Sequence, residues 1–314
     1  MTSEYTAADY KTNQLPFHLL QKMHDEKVFF GFVPNEFGGL QWSLAQGLKV
    51  IHDYSKEFGS AGWCVNLGAG AGYFSGFFPT EAAREIFSTP QAALAGSGKI
   101  GGTSKNENGI IKLSGEWDKC TGSAHATHFT VNAIDENDDL ASYVVAATEV
   151  KIHEEWDVFA FRPTSSFGIA GENIPGICSF KIGEIANPYA YEIHRLGFMP
   201  FARFCMGIAF AGLGRSLLES AQVNEASEKL KTHLDDWEFR IFREADKVWD
   251  TLLKGDFVDD IPQLQTIIRE GSLKIFRLTN EIYHQGGMRM SDENQIVHWK
   301  FREILAASQH FMLK

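Results

Sequence analysis

The sequence predicts a mostly helical α+β protein in three parts: an N-terminal helical domain (residues 1–91), a central small β-barrel (residues 92–190) and a C-terminal helical bundle (residues 191–314). In the first and third parts, apolar residues recur every three or four positions, which is typical of helices packed on a core. In the middle part, short runs of β-branched and aromatic residues alternate with turn residues, which is typical of a small barrel or sandwich. This order of helices, strands and helices narrows the choice of folds.

The N-terminal domain divides into four helical segments. Residues 15–31 have helical spacing and end in a glycine, which predicts a helix with a glycine stop. Residues 41–58 predict a second, amphipathic helix. Residues 60–78 are mostly small and apolar, so we expect a buried helix that packs closely through its glycines. Thr80 then opens a short helix as its predicted N-cap.

The central domain contains five runs with the composition of strands, and turn sequences at residues 107–109 and 135–139 separate some of them. The runs are IIKLSGEW (110–117), HFTVNAI (128–134), SYVVAATEV (142–150), WDVFAF (156–161) and GICSFKI (176–182). In the C-terminal domain, apolar spacing predicts four helices and a helix–helix connection over residues 253–261. The predicted helices cover residues 204–230, 233–254, 261–285 and 294–313.

Composition excludes several classes of partner. The net charge is −11 and no basic run occurs, which argues against nucleic acid and anionic membranes as partners. The longest apolar stretch, residues 204–213, is too short to span a bilayer. The N-terminus lacks a signal pattern, so a cytoplasmic location is expected. Four widely spaced cysteines without a CxxC pair predict reduced, mostly buried thiols.

The short motifs carry little chemistry by themselves. Residues 96–101 match GxGxxG, but a polar turn and a strand follow where a dinucleotide-binding fold needs a helix. A flexible, Gly-rich strand exit beside a ligand is the favoured interpretation. His125 and His128 would face opposite sides of a strand, and no HExxH occurs, so no metal site is predicted. His310 near the chain end is an acid–base candidate; the alternative is a surface histidine favoured by the helix dipole.

Several segments, in order, resemble the acyl-CoA dehydrogenase superfamily, and most closely its branch of reduced-flavin-dependent monooxygenases. The strongest is NGIIKLSGEWDKCTGSAHATHF at residues 108–129, which is similar to the family's strand and turn beside the flavin. The others are VPNEFGG (33–39), SAGW (60–63), WDVF (156–159), RPTSS (162–166), NIP (173–175), QGG (285–287) and RE (302–303). Together they cover nearly the whole chain.

The resemblance implies a bound flavin, FAD or FMN, with its ring against the barrel. It implies that Lys119, Cys120 and Thr121 lie along the reactive edge of the flavin, where the Thr121 hydroxyl would act as a hydrogen-bond donor. Gly96 and Ser97 would form the neighbouring loop. It also implies that a second segment lies by a cofactor pyrophosphate bound mainly to another subunit of a homotetramer. That segment is Gln285, Gly286 and Gly287.

Some residues depart from the family pattern. Phe311 stands where true dehydrogenases have a catalytic glutamate, and it cannot act as a base. His310 instead fits the pattern of the monooxygenase branch, in which a histidine would assist proton transfer. Lys119 replaces an aromatic residue, Pro163 a glycine and Glu303 an aspartate.

Together these observations predict a flavin-dependent oxidoreductase. The favoured form is a two-component-type monooxygenase that receives reduced flavin from a reductase and acts on a small organic or aromatic substrate. Two alternatives stay open: an acyl-CoA dehydrogenase with an unidentified base, and a degenerate member that no longer catalyses and serves as a binding or scaffold protein.

Overall fold

A computed structural model describes residues 5–314. The N-terminal part contains α1 (Phe17–Asp25), α2 (Leu44–Glu57), α3 (Gly59–Gly72) and α4 (Thr80–Ile86). The helix predicted over residues 15–31 is wrong at its end. The chain leaves α1 because Lys27 adopts a left-handed conformation (φ 52°), and a buried 3₁₀ turn follows at Val28–Phe30.

The second and third helices follow the prediction closely. Ser43 caps α2 in a reciprocal capping box with Gln46, which fixes where the helix begins. Thr80 is not the N-cap of α4, which corrects the prediction. The carbonyl of Pro79 already accepts the first helical bond, from the Ala83 N–H, so Thr80 lies inside the helix and makes no capping bond.

The central part is one seven-stranded sheet in the order β5-β6-β2-β1-β3-β4-β7. Neighbouring strands are antiparallel except β1 and β3, which run parallel. The strands are β1 (Leu94–Glu107), β2 (Ile110–Cys120), β3 (His128–Ile134), β4 (Leu140–Ala146), β5 (Lys151–His153), β6 (Phe167–Pro175) and β7 (Cys178–Phe180).

The sheet encloses a core of its own around the fully buried Trp117. The strand predicted over residues 156–161 is wrong, since this segment is irregular. There the Trp156 Nε1–H donates to the backbone carbonyl of Phe161 at 2.9 Å, which folds the segment back on itself. The predicted turn at residues 107–109 joins β1 to β2, with Asn108 and Gly109 both at positive φ.

The C-terminal bundle consists of α5 (Phe198–Ser220), α6 (Glu225–Leu253), α7 (Pro262–Gln285) and α8 (Ile296–Ala307). The predicted break between the first two helices is misplaced, because Asn224 caps α6 in a box with Ser227. The last helix ends at Ala307, and a 3₁₀ turn at Phe311–Leu313 follows.

Helix α5 is the centre of the bundle and packs against α2, α3, α6, α7 and α8. Helix α3 also contacts β1, so it lies between the bundle and the sheet. Within residues 5–314, α5 alone has the length and composition to cross a membrane, and 78% of its most apolar window is buried inside the protein.

Candidate active site

A cavity of about 320 Å³ lies where α3, α5 and the sheet meet. Apolar side chains from α3, from the 3₁₀ turn that follows it (Tyr73–Phe77) and from α5 form one wall, among them Phe74, Phe201 and Met206, and the sheet forms the other. The polar side chains in its lining are neutral amides and hydroxyls; they are Asn66, Ser97, Thr121, Thr130, Asn132 and Ser142. Such a volume is at the lower end for ligand pockets and suits one compact ring system.

Three of the residues predicted to bind the cofactor line this cavity: Gly96, Ser97 and Thr121. Gly96 and Ser97 belong to β1 rather than to a loop, which corrects the expectation. The register of β1 against β3 shifts between Gly96 and Ile100, so the strand is irregular where it reaches the cavity. Gly96 must be a glycine, because a Cβ there would lie 2.2 Å from the Oγ1 of Thr130.

The Thr121 hydroxyl belongs to a buried chain of hydroxyl groups. The Thr164 Oγ1 donates to the carbonyl of Phe161 at 2.7 Å, so it can only accept from the Ser166 Oγ, 2.8 Å away. Ser166 therefore has no proton left for Thr121, and the Thr121 Oγ1 donates to it at 2.8 Å. This order leaves Thr121 with its oxygen lone pair, an acceptor, for a ligand in the cavity. The donor role expected for Thr121 is therefore reversed.

Lys119 and Cys120 do not line the cavity. The Lys119 backbone is left-handed (φ 60°) and its side chain is exposed. Cys120 is buried in the core of the sheet, where its thiol donates to the carbonyl of Trp117 and burial raises its pKa to about 12. Neither side chain contributes to the part of the site that encloses a ligand.

His310 lies beyond α8, not on it as predicted. Its ring contacts Trp63 of α3 edge to face at 5.8 Å, and Trp63 stacks on Phe161 at 4.9 Å. Burial lowers the pKa of His310 to about 4, so its imidazole is neutral at neutral pH. The Nδ1 accepts from the Met312 backbone N–H at 3.3 Å, which places the ring proton on Nε2. His310 does not line the cavity. Its contact Trp63, however, lies one turn of α3 before Asn66, and Asn66 does line the cavity.

Gln285, Gly286 and Gly287 lie at the end of α7 and do not line the cavity. Gln285 and Gly287 are exposed, and Gly287 has φ +66°. Their predicted contact with a cofactor bound to another subunit stays a prediction.

Sequence reasoning missed Asn66, which is 3% exposed and lines the cavity. The segment around it was interpreted only as close helix packing. A signal was present, because Asn66 is the one amide in a run of small and apolar residues from 61 to 72. A buried amide in such a run needs a partner.

In the described residues, 5–314, no group of three or more His, Cys, Asp or Glu side chains is placed to hold a metal ion. The cavity fits the uncharged ring of a flavin or a substrate of similar chemistry. It does not fit phosphate groups, since none of its lining residues carries a positive charge. A flavin phosphate would have to be held elsewhere.

The three-part architecture around this cavity is the acyl-CoA dehydrogenase-like fold. Solved structures of 3-HSA hydroxylase from Rhodococcus sp. RHA1 and XiaF from Streptomyces sp. match 96% and 98% of the chain, each with a TM-score of 0.86, at 13% and 18% sequence identity. Both alignments cover 87% of the solved chain. XiaF was solved in complex with FADH2 and glycerol. No protein-family profile matches the chain.

Among curated proteins, the sequence is similar to flavin-dependent monooxygenases and a related hydroxylase. It is 28% identical over 152 residues to indole-3-acetate monooxygenase of Pseudomonas putida, covering 47% of this chain and 39% of that protein. It is 24% identical over 193 residues to a pigment production hydroxylase of Rhodococcus sp., covering 57% of this chain and 50% of that protein. The chain thus spans half or less of these relatives. The resemblance to the monooxygenase branch is confirmed.

Proposed function

We propose that this protein is the oxygenase component of a two-component flavin-dependent monooxygenase. It receives reduced FAD or FMN from a separate flavin reductase and acts on a small organic or aromatic substrate. The observation that supports this most is the convergence of Gly96, Ser97 and the acceptor oxygen of Thr121 on one uncharged cavity. Similarity to indole-3-acetate monooxygenase and to the oxygenase subunit HsaA of Mycobacterium tuberculosis agrees with this function.

The bound reduced flavin supplies the electrons that activate molecular oxygen. Thr121 offers an acceptor at the cavity. A reduced flavin would present an N5–H donor where an oxidised flavin presents only an acceptor, so a ring held against Thr121 would be favoured in its reduced form. His310, neutral because of its low pKa, offers an Nε2–H donor through which a proton is held near the Trp63 side of the site.

The acyl-CoA dehydrogenase alternative has less support. Phe311, at the position of that family's catalytic glutamate, is 64% exposed, and no carboxylate lines the cavity within the described part of the chain. We propose in addition that the protein assembles as a homotetramer, with Gln285–Gly287 of one chain next to the cofactor of another. The exposure of the adjacent Met288, at 84%, supports a contact there.

The test compares binding of reduced and oxidised FMN and FAD under anaerobic conditions, for the wild type and Thr121→Val. We expect the wild type to bind the reduced forms about tenfold more tightly, since one hydrogen bond gained and one repulsion avoided are together worth about 1.4 kcal/mol. Thr121→Val should lose that preference. Thr148→Val, the same substitution at an exposed position outside the cavity, is the control and should keep the preference.

Oxygen consumption with reduced flavin and a panel of small aromatic compounds then tests catalysis. Failure to bind any flavin would contradict the oxygenase proposal and favour a scaffold role. Reduction of a ferricenium acceptor by acyl-CoA thioesters would favour the dehydrogenase instead.

A further inference from the structure

The wall of the cavity that α3 contributes contains one polar side chain, Asn66, among apolar neighbours. It is 97% removed from solvent, since only 3% of it is exposed. Its Nδ2 points to the thioether sulfur of Met206 at 3.6 Å, a weak acceptor. Its Oδ1 has no hydrogen-bond partner among residues 5–314.

Two other polar side chains in the lining, Asn132 and Thr130, are already engaged, whereas Thr121 keeps an acceptor and Ser97 keeps its hydroxyl proton. The amide of Asn132 donates to the carbonyl of Gly98 and accepts from Ser142. The hydroxyl of Thr130 donates to the carbonyl of Ala95 at 3.3 Å. Asn66 is therefore the side chain whose amide retains its full acceptor capacity and a spare N–H.

The Asn66 Oδ1 is not among the fully enclosed atoms that lack a partner, so it is open to the cavity. A ligand that covers this amide without bonding to it leaves a buried polar group unpaired, so the amide discriminates strongly between ligands that can and cannot hydrogen-bond to it. Charge narrows the ligand further, because the lining contains neither a cation nor an anion. A carboxylate or an ammonium group would lose its hydration there with no countercharge.

We infer that Asn66 is a specificity-determining residue, and that the cavity takes a neutral, planar ring compound whose hydroxyl or carbonyl group bonds to the Asn66 amide. The inference rests on the proposed function where it concerns the substrate of the reaction. The claim that the Asn66 amide binds a neutral ring compound does not depend on the proposed function. The inference also predicts that aromatic acids bind weakly, because the cavity lining contains no cationic side chain to pair with a carboxylate.

The experiment measures binding of three bicyclic probes that share one ring: naphthalene, 2-naphthol and 2-naphthoate. Calorimetry is done on the purified full chain without flavin, because the cavity suits one compact ring system and a bound flavin ring would compete with the probes for it. The wild type should bind 2-naphthol about tenfold more tightly than naphthalene, as one hydrogen bond to a buried group predicts. It should bind 2-naphthoate more weakly than either.

Asn66→Leu has nearly the same shape without the amide. It should bind the alcohol and the hydrocarbon with equal affinity. Met206→Leu, which removes the sulfur contact but keeps the amide, is the control and should retain the wild-type preference. If Asn66→Leu does not fold, the inference is tested by Asn66→Ser, in which the preference for 2-naphthol should be weaker, and by the probe series on the wild type.

Three results would overturn the inference: equal binding of naphthalene and 2-naphthol by the wild type, a preference that survives in Asn66→Leu, or tight binding of 2-naphthoate. Loss of the preference in Asn66→Leu, together with no oxygen consumption by the wild type with reduced flavin, would leave the inference standing and contradict the proposed function. A preference that survives in Asn66→Leu, together with oxygen consumption by the wild type with reduced flavin, would contradict the inference and leave the proposed function standing.

Discussion

The two halves of α3 use the same small residues for opposite purposes. In the first half, Gly59 and Gly62 allow close packing: a Cβ at Gly62 would lie 2.2 Å from the Ser55 Cα of α2. In the second half, Gly70 leaves space, with the nearest atom to its Cβ position, on Phe201, 4.0 Å away. The first half therefore packs tightly on α2, and Gly70 in the second half leaves space for the cavity.

The halves also differ in how they treat charge. At the first turn of α3, the buried carboxylate of Glu303 accepts from the Ser60 hydroxyl at 2.7 Å, while its Oε2 has no hydrogen-bond partner in the described chain. Burial raises the pKa of Glu303 to about 7. The cavity half contains no charged group at all. Helix α3 thus contacts the Glu303 carboxyl, whose pKa is raised to about 7, at one end and an uncharged cavity at the other.

The largest expected effect comes from adding one methyl group to each half. Gly62→Ala should lower the free energy of unfolding by about 3 kcal/mol, because the backbone of α2 has to move to admit the Cβ. Gly70→Ala should raise it by up to about 1 kcal/mol, since alanine favours the helix and meets no neighbour. Urea unfolding of both variants tests the comparison. Similar shifts for the two would show that the halves do not differ in packing.

The next effect is pH dependence at Glu303. Its pKa is raised in the folded state, so between about pH 4.5 and 7 the folded protein binds more protons than the unfolded chain. Stability from this group is therefore lost as the pH rises through that window, by about 2 to 3 kcal/mol in total. Glu303→Gln should remove the loss and be the more stable protein at pH 8, with little difference near pH 4.5.

Thermal or urea unfolding of wild type and Glu303→Gln across pH 4.5–8 measures this difference directly. Glu149→Gln, at an exposed position in a turn, is the control. A difference between Glu303→Gln and wild type that is independent of pH would mean that Glu303 is ionised throughout.

His310 gives a smaller effect of the opposite sign. Burial lowers the pKa of the His310 imidazole to about 4. Between about pH 6.5 and 4, His310 is therefore protonated in the unfolded chain and neutral in the folded protein. Stability from this group therefore falls as the pH falls, by about 1 kcal/mol at pH 5 after allowing for partial exposure. His310→Gln should be less sensitive to acid. An imidazole resonance of His310 that titrates near pH 6.5 in NMR spectra would contradict this.

The three-part fold was predictable because helical spacing and strand composition are local signals, and segments such as 41–58 and 110–117 lie where expected. The helix ends were less predictable. Lys27 leaves the helix in a left-handed conformation that no local signal in its sequence requires.

The resemblance brings Gly96, Ser97 and Thr121 together, and all three line the cavity; their contact with a cofactor stays a prediction. The direction of the Thr121 hydrogen bond was not predictable, since it follows from Thr164 and Phe161, which are distant in sequence. The proposed role of Asn66 was not predictable from the sequence either. It depends on the packing of α3 against α5, where the Asn66 amide contacts only the sulfur of Met206.

The smallest expected effect is on the cavity wall itself. Thr121→Val removes one hydroxyl from the chain that ends at Phe161, but Ser166 keeps its bond to Thr164. The valine methyl group also suits an apolar cavity, so the loss in unfolding free energy should be only about 0.5 kcal/mol. Thr164→Val should cost more, about 1.5 kcal/mol, because the Ser166 hydroxyl loses the acceptor of its proton, while the Phe161 carbonyl keeps the Nε1–H of Trp156. Urea unfolding of the two variants measures this order. Equal losses would mean that the hydroxyl chain does not run in the direction that makes Thr121 an acceptor.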